Sequence, residues 1–135
     1  MAPLDPELTR FLASLRTVAV VGLSPRPDRP SNDVARYLQG RGLRVFPVNP
    51  RIAEALGEPS HPTLQTLPEV PDVVVVFRRP EEVPEVAEDA IRSGTRGLWL
   101  QLGIRHAQAE ADAQAAGLTV VSDRCIKLEF QRLLP

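Results

Sequence analysis

The sequence predicts an α/β fold built on a doubly wound, mostly parallel sheet of five or six strands. Short, almost wholly apolar segments alternate with segments whose apolar residues recur at helical spacing, which is typical of parallel sheets covered by helices on both faces. The 14 prolines cluster between these segments and mark the loops. A chain of 135 residues is long enough for one core and too short for two, so residues 1–135 are expected to form one domain.

The first elements are well marked. A helix begins near Asp5, the candidate N-cap, with Pro6 in the first helical position. Residues 17–22 form a short apolar run that ends in glycine, and we expect this run to be the central strand. After a proline-rich loop, the spacing predicts a helix over about residues 31–39, and residues 43–48 return to a strand pattern.

The segment between residues 49 and 71 has a weaker pattern. It predicts a short helical turn over residues 52–56, followed by residues 58–63, which two prolines interrupt. Because proline cannot donate a backbone hydrogen bond to a neighbouring strand, any strand here is expected to be short and to lie at an edge of the sheet.

The rest of the chain repeats strand–helix units. The strands are expected at residues 72–77, 97–102 and 118–122, and the helices at about residues 80–93, 107–116 and 124–134. Parallel strands joined by helices need right-handed crossovers. We therefore expect a Rossmann-like sheet with the order 3-2-1-4-5-6, in which the region around Glu58 is strand 3.

This strand order predicts the place of a ligand site. Ligands of open parallel sheets bind outside the carboxyl ends of the strands, at the point where the strand order reverses. The loops that follow Gly22 and Phe77 are expected to lie side by side at that point. Functional residues are therefore sought after Gly22, Val48, Phe77 and Leu102.

Composition and charge argue against several classes of function. Sixteen basic and 17 acidic side chains give a net charge of −1, so no positive field is available to hold a nucleic acid or an anionic membrane. No apolar run approaches the roughly 20 residues of a membrane span, and the amino terminus lacks a signal-peptide pattern, so a cytoplasmic protein is expected. Cys125, His61 and His106 have no metal-ligand spacing, and one cysteine cannot form an internal disulfide.

The loop after the first strand has the chemistry of a phosphate site. Gly22 matches only the first glycine of a dinucleotide-binding fingerprint, so it is poor support for NAD and is equally compatible with a simple turn. Ser24 and two arginines, Arg26 and Arg29, follow it, and Ser31 lies where the next helix begins. A helix amino terminus and a guanidinium group together favour a phosphate. Ser31 is equally compatible with a plain helix N-cap.

The end of the second strand lacks the carboxylate that binds the ribose of NAD. Asn49, Pro50 and Arg51 stand there instead. Arg51 suits a phosphorylated ribose, which is found as the 2'-phosphate of NADP and the 3'-phosphate of coenzyme A. A surface arginine without a ligand is the other interpretation.

Two further strand ends carry candidate residues. Phe77 and Arg78 end a strand at the predicted reversal point, although Glu81 and Glu82 could pair with the arginines there for purely structural reasons. Gln101 and Gly103 follow the next strand and offer an amide and an exposed backbone. Trp99 lies within that strand and is expected to belong to the core.

Five blocks together resemble the small stand-alone CoA-binding proteins, a family similar to the CoA-binding domain of the succinyl-CoA synthetase α subunit. The resemblance covers residues 12–133. The blocks are residues 18–24 with 29–31, residues 47–50, residues 72–78, residues 99–104 and residues 122–125.

The resemblance implies a Rossmann-like fold that holds coenzyme A (CoA) at the carboxyl ends of the sheet. It places Gly22, Ser24, Arg29 and Ser31 by the phosphates; Asn49, Pro50 and Arg51 by the adenosine; and Phe77, Arg78, Gln101 and Gly103 along the pantetheine. In the synthetase, catalysis needs a phosphorylated histidine from a second domain. His61 and His106 lie outside the matching blocks, so the resemblance supports binding and gives no support to ligase chemistry.

Cys125 is the remaining candidate for reactivity. A cysteine of this kind usually behaves as a small hydrophobe. It follows the last strand at the ligand edge, however, beside Arg124 and near a helix start, where a thiolate is favoured. No base is placed near it by the sequence.

The leading hypothesis is a protein that binds CoA or acyl-CoA without catalysis of its own. One alternative is an NADP-dependent oxidoreductase, which the same fold and Arg51 would suit. Another is a regulatory adaptor in which CoA signals metabolic state to a protein partner.

Overall fold

The computed structural model describes residues 2–135 and has an α/β architecture. Its helices are α1 (Asp5–Ser14), α2 (Pro30–Gly40), α3 (Val83–Ser93), α4 (Ala107–Ala115) and α5 (Ile126–Leu133). Its strands are β1 (Thr17–Val21), β2 (Arg44–Val48), β3 (Glu54–Ala55), β4 (Glu58–Pro59), β5 (Val73–Val76), β6 (Gly97–Leu100) and β7 (Thr119–Val121). Single 3-10 turns lie at Leu64–Thr66 and Pro80–Glu82. None of the helices within residues 2–135 combines the length and the apolar character of a bilayer-spanning helix.

Five strands form a parallel sheet in the order β2-β1-β5-β6-β7. The strand order reverses between β1 and β5, which are paired in register from Val18 with Val73 to Val21 with Val76. The predicted doubly wound, parallel α/β fold is therefore confirmed, and the carboxyl ends of β1 and β5 lie side by side as expected.

The predicted third strand is reduced to a single parallel bridge beside β2. This bridge joins Val48 to His61. Pro59 and Pro62 stand on either side of His61 and lack the backbone N–H groups that would extend the ladder. The sheet consequently has five strands, and the edge of β2 is covered by only one added residue.

The predicted helical turn over residues 52–56 is wrong. Here β3 and β4 form a small antiparallel hairpin. The two turn residues, Leu56 and Gly57, have φ angles of 55° and 77°, and positive φ at both positions is typical of the tightest hairpin turns. Gly57 adopts this backbone readily, so the turn chemistry outweighs the helical spacing of the apolar residues.

The sheet separates two hydrophobic clusters. Successive residues of β1 face opposite sides, with Val18 in the cluster covered by α1, α2 and α5, and Ala19 in the cluster covered by α3 and α4. Trp99 is fully buried in the first cluster, and its indole N–H donates to the carbonyl oxygen of Arg124 at 2.8 Å. The prediction that Trp99 belongs to the core is confirmed.

The start of the first helix differs from the prediction. The N-cap is Leu4, and Asp5 is the first residue of α1. The Asp5 carboxylate accepts two hydrogen bonds from the Arg132 guanidinium, at 2.8 and 2.9 Å. These bonds lower the pKa of Asp5 and tie α1 to α5.

Asp72 joins the amino ends of two paired strands. Its Oδ2 atom accepts hydrogen bonds from the backbone N–H groups of Arg16 and Thr17, at 2.7 and 3.1 Å. The Arg96 guanidinium lies 3.4 Å from Oδ1. Partial burial acts to raise the pKa of Asp72, but these hydrogen bonds outweigh it, so the pKa lies below its ordinary value.

Replacing Asp72 with Ala should destabilise the protein most at neutral pH. Loss of hydrogen bonds to a charged group is expected to lower the free energy of unfolding by about 1–3 kcal/mol. Because the folded-state pKa is lowered, this contribution is complete above the ordinary Asp pKa of about 3.9 and is lost as pH falls through the folded-state value. Urea unfolding of both proteins at about pH 7 and about pH 3 measures the difference.

A matched control is Asp28→Ala, which removes an exposed carboxylate that pairs with Arg26 at 3.1 Å. An exposed pair contributes about 0–1 kcal/mol, so this variant should unfold nearly as the wild type does. A loss for Asp72→Ala that is the same at both pH values would contradict the role assigned to its carboxylate.

Candidate ligand-binding site

The carboxyl ends of three strands meet at Gly22. Its backbone N–H donates to the carbonyl oxygen of Val48, and the N–H of Phe77 donates to the carbonyl oxygen of Val21, each at 2.9 Å. Gly22 has a φ angle of 88°. A Cβ atom at this position would collide with the carbonyl oxygen of Phe77. Only glycine therefore allows the chain to leave β1 at this point.

The loop between β1 and α2 is held by its own hydroxyl groups. The buried Ser31 hydroxyl accepts a hydrogen bond from the backbone N–H of Ser24 at 3.0 Å, and the Ser24 hydroxyl accepts one from the backbone N–H of Arg26 at 3.1 Å. The N-cap of α2 is Arg29. The interpretation of Ser31 as an N-cap is therefore wrong, because its hydroxyl fixes the loop instead.

Two residues of α2 support the same loop. Asn32 is 2% exposed, and its side-chain Nδ2 donates to the carbonyl oxygen of Ser24 at 2.9 Å. Its Oδ1 accepts a hydrogen bond from Arg36 Nε at 2.8 Å, and Arg36 Nη2 donates to the carbonyl oxygen of Pro27 at 3.1 Å. The loop is thus built before any ligand arrives.

The arginines at this edge differ in whether their charge is already paired. Arg26 pairs with Asp28 at 3.1 Å. Within residues 2–135, the guanidinium groups of Arg29, Arg51 and Arg78 have neither a hydrogen bond nor an ion pair at 4.0 Å or less. These three groups are free to bind an anion.

Asn49 links the loop after β2 to the loop after β1. Its Nδ2 donates to the carbonyl oxygen of Leu23 at 3.0 Å, and its Oδ1 accepts a hydrogen bond from the backbone N–H of Arg51 at 2.9 Å. The Ser60 hydroxyl donates to the carbonyl oxygen of Asn49, also at 2.9 Å. The Asn49 side chain therefore shapes the edge and orients the residues that follow it.

A cavity of about 270 Å³ opens on the α3 side of the sheet, beside the carboxyl ends of β1 and β2. Its polar lining consists of Arg51, Thr63, Arg78, Glu82, Glu85 and Asp89, and its other lining residues are Val21, Val48, Pro50, Pro62, Leu64 and Val86. It is slightly smaller than the pockets of about 300–1,000 Å³ that enclose a drug-sized ligand. It can therefore enclose one end of a larger ligand.

The charges in this cavity are not all paired. Glu82 accepts hydrogen bonds from the backbone N–H and the Nε of Arg79, each at 3.4 Å. Burial acts to raise the pKa of Glu82, but these bonds outweigh it and the pKa lies below its ordinary value. Asp89 pairs with Arg92 at 2.6 Å. Glu85 has no such partner among the residues that the structure describes.

Glu81 and Glu82 could pair with the arginines after β5 for purely structural reasons, and within residues 2–135 the structure shows such pairs for Arg79 only. Arg79 lies 3.8 Å from Glu81 and 3.4 Å from Glu82. Among the described residues, Arg78 has no ion pair within 4.0 Å, although its charge helps to lower the pKa of Glu82, and it lines the cavity together with Arg51. Arg78 thus lies in the same cavity as Arg51, the residue that the resemblance places by the adenosine.

The other end of the edge is formed after β6. Gln101 is 4% exposed, and its Oε1 accepts a hydrogen bond from the backbone N–H of Ile126 at 3.0 Å. This bond fixes the amide and leaves Nε2 as the remaining donor group. The backbone N–H of Gly103 donates to Asp123 Oδ1 at 2.7 Å. Cys125 is half-buried at the N-cap of α5.

A family model described as a CoA-binding domain matches residues 16–131. The chain belongs to this CoA-binding family. The match covers every strand of the sheet and all of the candidate site residues.

Comparisons with individual proteins agree with this assignment. The uncharacterized protein YneT of Bacillus subtilis is 39% identical over 126 residues, which is 93% of each chain. A structure of the Thermus thermophilus protein cell-free ID.343 is 39% identical, with a TM-score of 0.94 over 98% of this chain and 100% of that one. The ADP-forming acetate–CoA ligase I of Archaeoglobus fulgidus is 27% identical over 82% of this chain, which spans only 18% of the ligase.

In this CoA-binding domain, the residues predicted from the sequence fall into three groups along the carboxyl edge. They are Gly22, Ser24, Arg26, Arg29 and Ser31 in the loop after β1 and the start of α2; Asn49, Pro50, Arg51, Phe77 and Arg78 at the ends of β2 and β5; and Gln101, Gly103 and Cys125 beside the start of α5. The groups lie next to one another because the strands that carry them are neighbours in the sheet.

The sequence analysis missed three residues of the CoA-binding domain's edge. Asn32 and Arg36 build the loop from inside α2, and Glu85 lines the cavity from α3. A signal for Asn32 existed, since it stands beside Ser31 at the start of a helix. Glu85 gave none, because an acidic residue in a first helical turn is common for electrostatic reasons alone.

Gly22→Ala should be far more damaging than Gly42→Ala. Both glycines have nearly the same positive φ, 88° and 89°, but a Cβ at Gly42 would meet no atom within 4 Å. The Gly42 variant is expected to lose about 1–2 kcal/mol for the left-handed backbone alone. The Gly22 variant adds a collision with a backbone carbonyl, so its loss should be several kcal/mol, or folding should fail. Urea unfolding measures both. Equal losses would contradict the close approach of Gly22 to Phe77.

Proposed function

We propose that residues 1–135 form a single domain that binds CoA or an acyl-CoA along the carboxyl edge of the sheet, without catalysis of its own. The observation that carries the proposal is the set of unpaired guanidinium groups, Arg29, Arg51 and Arg78, at one edge of a domain of the CoA-binding family. CoA has two separate phosphate-bearing parts, a diphosphate and a 3'-phosphate, and the free arginines lie in two separate places.

The diphosphate is assigned to the loop between β1 and α2. The amino terminus of α2 presents the positive end of the helix dipole, and Arg29 stands at its N-cap without a partner. Ser31 and Asn32 already hold the loop in place. Little ordering entropy is therefore lost when the anion binds.

The adenosine and its 3'-phosphate are assigned to the cavity beside α3. Apolar side chains and two prolines, Pro50 and Pro62, line the space for a flat ring. Arg51 and Arg78 supply two guanidinium groups for a phosphate dianion. The cavity volume of about 270 Å³ suits one end of CoA, so the rest of the molecule would extend across Gly22 and along the edge.

The pantetheine arm is assigned to the ends of β5 and β6. Phe77 supplies the backbone wall beside Gly22, and the free Nε2 of Gln101 is a donor for an amide carbonyl of the arm. The carbonyl group of Gly103 and the thiol of Cys125 lie further along the same edge, because Gly103 follows β6 and Cys125 follows β7.

The absence of catalysis is proposed because the two histidines have other contacts. His106 is the N-cap of α4, and its Nδ1 accepts a hydrogen bond from the backbone N–H of Ala109 at 3.2 Å. His61 forms the bridge to β2 and packs edge-on against Phe46. Neither is held against Cys125, which would need a base to act as a nucleophile.

Calorimetric titration with CoA and dephospho-CoA tests the proposal. Arg51→Ala should lower the affinity for CoA by roughly 10-fold to 100-fold, because a charge-assisted hydrogen bond is lost. It should hardly change the affinity for dephospho-CoA, which lacks the 3'-phosphate. Arg29→Ala should weaken both ligands by similar factors, because both carry the diphosphate. Arg10→Ala, which changes an exposed residue of α1 outside the site, should leave both affinities unchanged.

Several outcomes would count against the assignments. If Arg51→Ala lowers the affinities for CoA and dephospho-CoA equally, Arg51 does not bind the 3'-phosphate. Normal binding by Arg29→Ala together with a lower melting temperature would make Arg29 a structural residue. Tighter binding of NADP than of CoA by the wild type would replace the proposed ligand with a 2'-phosphorylated dinucleotide.

A further inference from the structure

Among the three acidic residues of the cavity, Glu85 is the one whose carboxylate has no ion pair or hydrogen bond within residues 2–135. Its acidic neighbours Glu82 and Asp89 pair with Arg79 and Arg92, which lie outside the cavity lining, and the charge of Arg78 also acts on Glu82. Glu85 lies in the first turn of α3, and its side chain is exposed where it lines the cavity. A free carboxylate therefore faces the same space as the two free guanidinium groups.

A carboxylate in this position does not help to bind a phosphate. It repels the anion and competes with it for Arg51 and Arg78. An ionised carboxylate can only accept hydrogen bonds, so it is complementary to a part of the ligand that donates them. In the adenosine end of CoA, the exocyclic 6-amino group of the adenine is such a donor, whereas a 6-oxopurine presents an acceptor in the same place.

The remaining lining of the cavity suits a purine ring beside Glu85. Val86 follows Glu85 in the chain, and Val48 and Pro50 line the cavity from the end of β2. These side chains offer apolar contact to the faces of a ring and no competing donors. The polar edge of such a ring is then left to the charged residues.

We infer that Glu85 selects the base of the ligand, by accepting a hydrogen bond from the 6-amino group of an adenine bound in the cavity. This inference rests on the proposed binding of CoA, and it goes beyond it by naming the residue that reads the base. A 6-oxopurine held in the same orientation is disfavoured, since an acceptor oxygen then replaces the donor that faces the Glu85 carboxylate, and the N1–H donor of that base points in a different direction.

The test compares CoA with deamino-CoA, in which hypoxanthine replaces adenine, by calorimetric titration. The wild type should bind CoA at least roughly 10-fold more tightly than deamino-CoA. In Glu85→Gln, the amide can either accept from a 6-amino group or donate to a 6-oxo group. The ratio of the two affinities should therefore fall to about 1. Both ligands carry the same phosphates, so the ratio is insensitive to the charge that the substitution removes.

Glu88→Gln is the matched control. It removes the same charge from the same helix, and Glu88 lines the space between α3 and α4 and not the cavity. This variant should keep the wild-type preference. Both variants should melt close to the wild type, because neither glutamate forms a hydrogen bond or a close ion pair with a residue in the described part of the chain. Glu85→Gln should lose only the small stabilisation that a negative charge gives to the first turn of α3.

The outcomes separate the inference from the function on which it rests. Tight binding of CoA with no preference over deamino-CoA would overturn the role of Glu85 and leave CoA binding intact. A wild-type preference that survives in Glu85→Gln would do the same. If no protein binds either compound, both the inference and the proposed function are overturned.

Discussion

The close approach of Gly22 to the carbonyl group of Phe77 sets the shape of the whole carboxyl edge. The chain can leave β1 only with a positive φ and without a Cβ, because the end of β5 occupies the space where a side chain would lie. The same residue donates its N–H to the end of β2 at Val48. Three neighbouring strands are thereby held together at the point where the strand order reverses, which is where a ligand of such a sheet binds.

The loops at this edge depend on that junction and on a second layer of amide side chains. Asn49 joins Leu23 to the residues after β2, and Asn32 joins Ser24 to α2. Each amide uses its donor and its acceptor within the protein. The free charges are consequently carried by long arginine side chains on a backbone that is already fixed, which favours binding of an anion with little reorganisation.

The sequence predicted the parts of the fold that depend on repeated patterns. Nearly continuous apolar runs correctly identified the three central strands, because a strand buried on both faces has few polar residues. The edge strands β2 and β7 were also identified, although they begin with Arg44 and Thr119. The prediction was wrong at residues 52–56, where the backbone preference of Gly57 for a tight turn outweighed the spacing of the apolar residues. It was wrong again at Asp5, because the pairing of Asp5 with Arg132 joins residues far apart in the chain.

The candidate site was predictable to the extent that it follows from strand ends. Pro50, Arg51 and Arg78 could be named because they immediately follow buried strands, and they line one cavity. Which arginines are free could not be read from the sequence, since Arg26 and Arg79 find carboxylates near them and Arg29 does not. Glu85 was missed because only the packing of α3 against the edge brings it to the cavity.

CoA binding at the carboxyl edge is tested most directly by a map of backbone amide chemical shifts during titration of the ¹⁵N-labelled protein with CoA. Binding at this edge should cause large changes at Gly22 and Ser24, at Arg51 and Arg78, and along α3 at Glu85. The amides of Gly42, Gly94 and Gly117, at the opposite edge of the sheet, should keep their positions. Shifts confined to that opposite edge, or a spectrum unchanged at saturating CoA, would contradict binding of CoA at the carboxyl edge.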